Sequence, residues 1–239
     1  MTQLERKIRR SAGQAIHKYG MIQNGDRILV AVSGGKDSLT LLWYLQDHQK
    51  RAPIDYELVP VHLEMGYNPG GGERLESYFR ETGLAHSVEF TDYGPRAHKE
   101  GNALNPCFIC ARLRRKRLFE LAEDSGCNKI AFGHNRDDFV ETLLINMFYS
   151  GQIASMKPMQ PLFQGKICLI RPLAMAPAHN IQRFADALGL PCIENPCPSA
   201  HDSKRTEIRR MLADLAAKND KIIANIFHSL QNVKQDYLL

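Results

Sequence analysis

Two kinds of hydrophobic pattern alternate along the chain. Short runs of apolar, often β-branched residues predict buried strands, and longer segments with apolar residues three or four positions apart predict amphipathic helices. The predicted strands cover 27–32, 56–63, 87–90, 129–132 and 166–171. Helices are predicted around 4–16, from 37, and at 73–82, 110–125, 137–149, 178–188 and 204–215, with more helix from 220. The glycine-rich segment Asn68–Gly72 (NPGGG) is expected to be a mobile loop.

The order of these elements predicts an α/β fold. Strands that alternate with helices favour a mostly parallel sheet with helices on both faces. No stretch rich in proline, glycine or serine divides the chain, so residues 1–239 are predicted to form one domain. It has an N-terminal helix and a helical C-terminal extension from about 204. Ligands of such sheets bind beyond the carboxyl ends of the strands, where the polar segments after the first, third and fourth strands are expected to converge.

Composition places the chain among soluble globular proteins. Of its 239 residues, 44% are hydrophobic and 24% are charged, which excludes a disordered chain. The N-terminal segment has no apolar core of signal-peptide length, and runs such as Ile28–Val32 are far too short to cross a bilayer. We therefore expect a cytoplasmic location without membrane attachment. In that reducing compartment the six cysteines are not expected to form structural disulfides.

Basic residues fall in three clusters, although the net charge is only +5. Weaker clusters lie within 6–10 and 204–210. The densest cluster lies on one predicted helix and comprises Arg112, Arg114, Arg115, Lys116 and Arg117. Such clusters can bind a polyanion such as RNA, but they can equally be solvated helix faces. The basic residues alone leave both interpretations open.

An anion-binding loop is predicted directly after the first strand. It comprises Ser33, Gly34, Gly35, Lys36, Asp37 and Ser38. The two glycines let the backbone approach an anion, and the N–H groups of the following helix point at it. The two hydroxyls and the lysine add donors and positive charge, while Asp37 can hold Mg²⁺. The spacing differs from that of the GxxxxGK[ST] loop, so cleavage between the β- and γ-phosphates is not implied.

A second polar segment, GHNRDD at 133–138, follows the fourth predicted strand. Gly133 permits the backbone to approach a ligand. The adjacent carboxylates of Asp137 and Asp138 stand at a helix N-terminus, where they can bind Mg²⁺ and also interact favourably with the helix dipole. Helix capping alone would also explain Asp137.

Three of the cysteines are candidate metal ligands. Cys107 and Cys110 form a CxxC at the start of the basic helix, where helix N–H groups and nearby arginines should lower the thiol pKa values. Cys197 lies between prolines in a loop, whereas Cys192 is placed at the start of a buried segment. The CxxC thiols can share a metal or form a redox pair. Three ligands leave either an open catalytic metal or an iron–sulfur cluster with one bare iron. The two other cysteines are expected to be buried apolar residues: Cys127 and Cys168.

The two polar segments resemble the SGGxDS and GHxxDDxxET motifs of the PP-loop ATP pyrophosphatase superfamily. They read SGGKDS and GHNRDDFVET in this chain. The resemblance implies a Rossmann-like (PP-loop, or HUP) fold and cleavage of ATP between the α- and β-phosphates, with AMP transferred to the substrate. It also implies that Gly133 and Asp138 contact the nucleotide and that the Ala31 backbone binds the adenine edge. His62 would line the adenosine pocket, although it could equally be a packed core residue.

A longer resemblance connects the chain with the tRNA 2-thiocytidine biosynthesis family. It rests on CFICARLRRKRL, GHNRDDFVETLLINMFYSG, IRPL and the late Cys197 with Arg205, and it spans about Leu4 to Leu230. In that family two CxxC cysteines and one late cysteine hold a [4Fe–4S] cluster. The resemblance therefore implies that Cys107, Cys110 and Cys197 hold such a cluster here.

Two positions depart from the pattern of that family. Glu194 stands where many members have a further cysteine, and Asn135 stands where the family commonly has a histidine. The related tRNA 2-thiouridine enzymes share the cluster but carry extra zinc-binding cysteines, which this chain lacks. The departures leave the implied cluster ligands in place and make the target base less certain.

The resemblances imply an ATP-dependent tRNA sulfurtransferase. ATP would adenylate O2 of a pyrimidine in tRNA, with cytidine favoured, and sulfur would then displace AMP from C2. Asp37, with Mg²⁺, and the cysteines Cys107, Cys110 and Cys197 are expected to be catalytic, and Arg114 is expected to reach the ATP phosphates. The expected partners are tRNA, a second copy of the chain in a homodimer, and a sulfur donor, either sulfide or a product of a cysteine desulfurase.

Two other classes of function remain open from the sequence. A PP-loop enzyme with different chemistry or another target base, such as amidation or the formation of lysidine or 2-thiouridine, would bind ATP through the same loop. Amidation and lysidine formation would not need the three cysteines. A non-enzymatic, nucleotide-responsive iron–sulfur module would bind RNA but release no pyrophosphate.

Overall fold

The structure, a computed structural model, describes residues 1–67, 69–99, 105–194, 197–199 and 203–237. Its helices are α1 (Gln3–Tyr19), α2 (Lys36–Gln49), α3 (Pro69–Thr82), α4 (Tyr93–Ala97), α5 (Pro106–Asp124), α6 (Arg136–Ser150), α7 (Ala178–Leu188), α8 (Lys204–Lys218) and α9 (Ile222–Ser229). Its strands are β1 (Arg27–Ala31), β2 (Glu57–Glu64), β3 (Ser87–Phe90), β4 (Lys129–Phe132), β5 (Met159–Leu162) and β6 (Ile167–Ile170).

The six strands form one sheet in the order β3-β2-β1-β4-β6-β5. Every neighbouring pair is parallel except β5 and β6. This confirms the predicted α/β fold with a mostly parallel, Rossmann-like sheet. From β1 the chain continues toward one edge of the sheet, and from β4 it continues toward the other. A crevice therefore opens between the loops that follow these two central strands.

Alternate residues of β1 enter different hydrophobic cores. Ile28 and Val30 belong to a core formed with α1, α2, α3 and α7, whereas Leu29 packs in a second core that includes Leu118 and Ala122 of α5. With helices on both faces, the strand is apolar at successive positions rather than alternately. Each fully buried aliphatic side chain contributes about 1.5–3 kcal/mol to folding. The central strands that carry the polar loops are therefore rigidly held.

The outer helices are fixed by narrower apolar faces. α1 buries Ile8 and Ala12 and leaves Arg6 and Arg10 exposed, as its helical pattern predicted. α6, α8 and α9 share a small core of their own, which fixes the C-terminal helices next to the loop that follows β4. Within the described ranges, no helix is both long and apolar enough to cross a bilayer.

The prediction of a loop at 68–72 is wrong for the residues of this segment that the structure describes. α3 begins at Pro69, while Asn68 lies outside the described residues. A Cβ on Gly72 would lie 2.8 Å from the ring of Phe90 in β3. Glycine is therefore used here for close packing of the first turn of a helix on the sheet and not for a loop conformation.

Three further elements differ from the sequence-based predictions. α5 begins four residues before its predicted start at 110, because the side chain of Asn105 caps the helix by accepting a 2.9 Å hydrogen bond from the Cys107 N–H. A proline at the first helical position also favours this start. α4 and β5 were not predicted, since five and four residues are too few to show a period.

Candidate functional site

A cavity of about 350 Å³ opens at the carboxyl ends of β1, β2 and β4. This volume is typical of a small-molecule site. The predicted site residues that line it are Ala31, Ser33, Gly35, Asp37, Ser38, His62, Arg114 and Gly133. Gly34 and Lys36 belong to the same loop after β1, and Asp138 lies in the first turn of α6. The fold thus brings the two predicted polar segments to one crevice.

Hydrogen bonds within the loop after β1 hold it in a tight turn. The Ser38 hydroxyl donates to the Gly35 carbonyl at 2.9 Å and accepts from the Ser33 N–H at 3.1 Å. Gly34 has φ of +86°, a conformation that favours glycine. The N–H groups of the first turn of α2 have no partner within the helix. The turn therefore directs backbone donors at the cavity, as an anion-binding site requires, while the hydroxyls of Ser33 and Ser38 hold the turn together.

Gly133 is required where β4 meets this loop. A Cβ at this position would lie 2.9 Å from the carbonyl carbon of Asp37 and 2.9 Å from the Ser38 nitrogen. Any side chain would push the loop after β1 away from β4. The glycine predicted to permit ligand approach thus first permits the approach of the loop itself.

Two donors hold the carboxylate of Asp37. Lys36 Nζ lies 2.7 Å from Oδ2, and the Asn135 side-chain amide donates to Oδ1 at 2.8 Å. The Lys36 and Asp37 side chains are 28% and 30% exposed, so this ion pair is accessible to a ligand. An entering phosphate would compete with Asp37 for Lys36 and free a carboxylate oxygen for a cation. Oxygen is the ligand atom that Mg²⁺ prefers.

Asp138 connects the first turn of α6 to the C-terminal helix α8. Its Oδ2 accepts a 2.9 Å hydrogen bond from the Asn135 N–H in the capping box that begins α6. Its Oδ1 lies 3.4 Å from Arg205 Nη1 and 3.7 Å from Arg209 Nη2. Burial raises the pKa of Asp138, while the Asn135 N–H and Arg205 lower it in part. Arg205 therefore reaches the site through this carboxylate.

His62 is 4% exposed and lines the cavity from the middle of the sheet. Its Nδ1 lies 2.8 Å from the Val32 carbonyl, which can only accept, so Nδ1 carries the hydrogen. Nε2 lies 3.7 Å from the Glu64 carboxylate oxygen Oε2 and makes no hydrogen bond among the described residues. Both interpretations of the sequence thus describe part of its setting, because the ring is packed and also lines the cavity.

His134 lines the cavity beside Gly133 and was not singled out from the sequence. Burial, with a smaller contribution from the positive charges of Arg171 and Arg205, lowers its pKa to about 3. The ring is therefore neutral at ordinary pH. Its buried Nδ1 has no hydrogen-bond partner in the described part of the chain. GHNRDD contains this histidine, but the motif does not reveal that its ring faces the cavity.

The three predicted cluster cysteines lie in one group beside the start of α5. Cys110 is within electrostatic range of both Cys107 and Cys197. Cys107 is exposed, whereas Cys110 and Cys197 are half-buried. Two residues of the cavity wall, Arg114 and Tyr67, interact electrostatically with this group. The cysteines therefore lie next to the predicted nucleotide pocket, although they come from segments far apart in sequence.

The expected low thiol pKa is wrong for Cys110. Burial raises the pKa of its thiol, the neighbouring Cys197 and Cys107 raise it further, and Arg114 lowers it only in part. The described residues contain no group of three or more His, Cys, Asp or Glu side chains arranged around a single metal ion. A four-iron cluster is larger than one ion and separates its thiolates more widely, so a half-buried thiol group of this kind is compatible with it.

The other cysteines divide into two buried and one exposed. Cys127 and Cys168 are 5% and 7% exposed, which confirms the prediction that both are core residues. Cys192 is exposed, so its predicted place in a buried segment is wrong. The physical reason is that the next residue, Ile193, donates its N–H to the Gly34 carbonyl at 2.9 Å and packs against that glycine. Cys192 is left at the surface, within electrostatic range of Lys36 and Asp37.

The basic cluster on α5 separates into three groups. Arg117 is committed to Glu89, with nitrogen–oxygen distances of 2.8 and 2.7 Å, and also contacts Glu120 at 3.0 Å. Arg114 lines the cavity. The remaining members are exposed: Arg112, Arg115 and Lys116. Because Arg114 is exposed as well, Arg117 is the one member of the cluster that is not available as an electrostatic surface for a polyanion.

Comparison with known proteins identifies the family of this chain. Residues 2–216 match the PP-loop domain family. The chain is 41% identical to a tRNA-cytidine(32) 2-sulfurtransferase from Geobacter sulfurreducens, over 98% of this chain and 92% of the relative. It is 40% identical to another protein of that name from Syntrophotalea carbinolica, over 99% and 92% of the two chains.

Solved structures share the fold at low sequence identity. The U34-tRNA thiolase NcsA from Methanococcus maripaludis, solved with its [4Fe–4S] cluster, superposes with a TM-score of 0.76 at 24% identity, over 99% of this chain and 79% of that one. An NH3-dependent NAD synthetase from Campylobacter jejuni gives a TM-score of 0.54 at 14% identity, over 99% of this chain and 95% of that one. The family match covers most of the sequence, and the curated relatives match nearly all of it. The chain therefore belongs to the PP-loop domain family and, within it, to the family of the tRNA-cytidine 2-sulfurtransferases.

Proposed function

We propose that the protein replaces O2 of a cytidine in tRNA by sulfur and consumes ATP in doing so. The observation that carries the proposal is the position of the three-cysteine group beside a cavity that the phosphate-binding loop also lines. A nucleotide site and a sulfur-handling site are thereby adjacent, as adenylation followed by thiolation requires. The relatives named for cytidine 32 support that nucleotide of tRNA as the target.

In this proposal the loop Ser33–Ser38 binds the phosphates of ATP through its backbone and hydroxyl donors. Lys36 leaves Asp37 for a phosphate oxygen, and Asp37 then contributes to a Mg²⁺ site. The 2.7 Å ion pair between these two side chains supports such an exchange, since it is accessible to the cavity. Gly133 and Asp138 complete the phosphate side of the pocket.

The adenosine part of ATP would lie deeper, against β1 and β2. Ala31 ends β1 at the cavity, where its backbone would bind the adenine edge. The Nε2 atom of His62 supports this placement, because it lines the cavity without a hydrogen bond among the described residues and could pair with a polar edge atom of adenine. A buried polar atom without a partner costs about 1–3 kcal/mol, and the ligand would remove that cost.

The cysteines would hold a [4Fe–4S] cluster through Cys107, Cys110 and Cys197. When bound, a cluster with three protein ligands supplies one iron at which the transferred sulfur can be held. The mutual proximity of the thiols supports metal binding, and a bound cation would offset the burial that raises the pKa of Cys110. Arg114, between this group and the cavity, would neutralise charge on the phosphates.

The chemistry that the residues serve has two steps. The cytidine O2 attacks the α-phosphorus of ATP, pyrophosphate leaves, and the base carries AMP on O2. Sulfur then attacks C2, and AMP leaves with the original oxygen. Lys36, Arg114 and the loop N–H groups would stabilise the charge on the phosphates, and binding both substrates in one crevice would provide the alignment.

The wider proposal concerns partners and organisation. The exposed basic face of α5 would bind tRNA phosphates, and the target base would be single-stranded, since proteins read RNA bases mainly in loops. The sulfur donor would be sulfide or a product of a cysteine desulfurase. Residues 1–239 would act as one domain with the helical extension from about 204, as a homodimer, in the cytoplasm.

The test is the fate of ATP and of the tRNA base. With tRNA and Mg-ATP, the protein should release AMP and pyrophosphate, and Asp37→Ala should abolish that release while the fold is kept. Mass spectrometry of tRNA nucleosides should show that 2-thiocytidine disappears when the gene is deleted. ADP as the main product, or loss of a different thiolated nucleoside, would contradict the proposal.

A further inference from the structure

One imidazole ties the Cys197 segment to the rest of the site. His98 follows α4, and its Nε2 lies 2.8 Å from the hydroxyl of Ser199, two residues after Cys197. Its Nδ1 lies 2.7 Å from the hydroxyl of Tyr67, which follows β2. His98 therefore connects two segments that border the three-cysteine group from different parts of the chain.

The backbone of Gly94 determines which of these groups donate. The Gly94 carbonyl lies 2.9 Å from His98 Nδ1 and can only accept, so Nδ1 carries a hydrogen. The Tyr67 oxygen is then the acceptor in its contact with the same nitrogen. The hydrogen of the Tyr67 hydroxyl consequently remains available for a different acceptor.

Sulfur atoms are in the surroundings of this hydroxyl. Tyr67 lines the cavity and interacts electrostatically with Cys107, Cys110 and Cys197. Its ring is fixed in place, because it packs against the bare Cα of Gly94, where a Cβ would lie 2.7 Å from the Tyr67 Cζ. A rigid ring with a free hydroxyl hydrogen therefore stands beside the three thiols.

We propose that Tyr67 donates an O–H···S hydrogen bond to the iron–sulfur group held by the three cysteines. His98 orients this donor, and through Ser199 it also anchors the loop that supplies Cys197. The inference rests on the proposed function, because it requires a cluster. Hydrogen bonds to cluster sulfurs stabilise the more negative, reduced state and so raise the reduction potential.

Tyr67→Phe tests the donor by removing only its hydroxyl. The anaerobic variant should keep about four irons per chain, the content of a [4Fe–4S] cluster. Its midpoint potential, measured by redox titration with electron paramagnetic resonance, should be lower than that of the wild type. Tyr93→Phe is the matched control, since it removes the hydroxyl of a tyrosine in α4 beside Gly94, and it should leave the potential unchanged.

Ser199→Ala tests the anchor separately. It should leave the potential unchanged, because Tyr67 and His98 remain, but a chelator should remove iron about fivefold faster, the factor expected for loss of one hydrogen bond. Equal potentials in Tyr67→Phe and Tyr93→Phe, or loss of iron from Tyr67→Phe, would overturn the donor role. An unchanged rate of iron loss in Ser199→Ala would overturn the anchor. Iron-free wild-type protein after anaerobic reconstitution would instead contradict the cluster in the proposed function.

Discussion

The side-chain amide of Asn135 donates a 2.8 Å hydrogen bond to the carboxylate of Asp37. The Asn135 side-chain oxygen also caps α6 by accepting from the N–H groups of Asp137 and Asp138. One side chain therefore begins a helix and, across the crevice, fixes the carboxylate proposed to bind Mg²⁺. The loops after β1 and β4 are coupled through this residue.

Asn135→Ala should lower both stability and activity. Loss of a helix N-cap costs about 1 kcal/mol, and Asp37 at the same time loses a donor that orients it. Pyrophosphate release should slow by about tenfold, the effect of about 1.4 kcal/mol of lost transition-state stabilisation. Thermal unfolding and a pyrophosphate assay would measure the two effects.

Thr2→Ala is the matched control for that variant. Thr2 forms the capping box of α1, as Asn135 does for α6, but α1 contributes no residue to the wall of the cavity. Thr2→Ala should lower the free energy of unfolding by a similar amount and leave the rate of pyrophosphate release unchanged. If Asn135→Ala also leaves the release rate unchanged, the residue is a helix cap without a role in positioning Asp37.

His134 should make the protein less stable as the pH falls. Burial lowers its pKa from 6.5 to about 3, so between these values the unfolded chain binds a proton that the folded chain does not. Stability therefore rises with pH across this window and is lost on acidification. Burial raises the pKa values of Asp138 and Glu141, so the folded chain keeps protons on these carboxyls that the unfolded chain has already released. Between their unfolded and folded pKa values, these two groups therefore favour the folded state as the pH falls.

Urea unfolding at pH 7 and pH 5 would separate the histidine from the carboxylates. His134→Gln cannot titrate and should lose less stability between the two pH values than the wild type loses. His17→Gln, on an exposed position of α1, should behave as the wild type does. A pH dependence that is the same in His134→Gln and wild type would show that this ring is not the group that resists protonation.

The outer face of α5 should control the salt dependence of tRNA binding. Each phosphate contact adds about 0.7–0.9 to the slope of log affinity against log salt concentration. The double variant Arg115→Gln, Lys116→Gln should reduce that slope by the contribution of up to about two phosphate contacts. It should also weaken binding to all tRNAs alike. Arg117→Gln should have little effect, since Arg117 is already paired with Glu89. Equal slopes in all three proteins would mean that this face is simply solvated.

The parts of the fold that the sequence could predict have local signals. A β-branched run followed directly by SGGKDS identifies both β1 and the loop that binds an anion, and the apolar periods identify most of the helices. β5 lacks such a signal, because it is a four-residue edge strand with Pro161 at its third position. The glycines at 70–72 suggested a loop because Phe90 in β3, against which Gly72 packs, is distant in sequence.

The residues that hold the candidate site residues in place do so through contacts that no local sequence pattern shows. Asn135 and Asp37 are 98 positions apart, and His98 and Ser199 are 101 apart, so both pairs depend on the order of strands in the sheet. The pKa of Cys110 was predicted with the wrong sign for a similar reason. The arginine is visible in the sequence, but the burial that outweighs it is a property of the folded chain.

The cysteine series should distinguish a cluster from a persulfide mechanism. If Cys107, Cys110 and Cys197 hold a [4Fe–4S] cluster, Cys197→Ser should lose most of the roughly four irons per chain and all thiolation. It should still bind ATP, because the loop Ser33–Ser38 is intact. Cys192→Ser is the matched control, since this exposed cysteine lies five residues earlier in the same segment, and it should keep iron and activity.

The alternative places on one cysteine a persulfide that a cysteine desulfurase delivers. Its outer sulfur attacks C2, a second cysteine cleaves the S–S bond, the resulting disulfide passes to the other two cysteines by thiol–disulfide exchange, and an external thiol reduces it to complete the cycle. Both mechanisms need all three thiols, so loss of thiolation alone cannot separate them. The deciding measurement is the rate of tRNA thiolation by protein from which iron has been removed anaerobically and to which it has then been restored. Sulfide is the sulfur source in one assay, and in a second assay cysteine with a cysteine desulfurase supplies sulfur as a persulfide. The cluster mechanism requires activity with sulfide to return in proportion to the iron bound, with Cys192→Ser recovering alongside the wild type. If iron-free protein thiolates tRNA at the full rate with the persulfide source, the cluster is not catalytic, and the three cysteines carry the sulfur themselves.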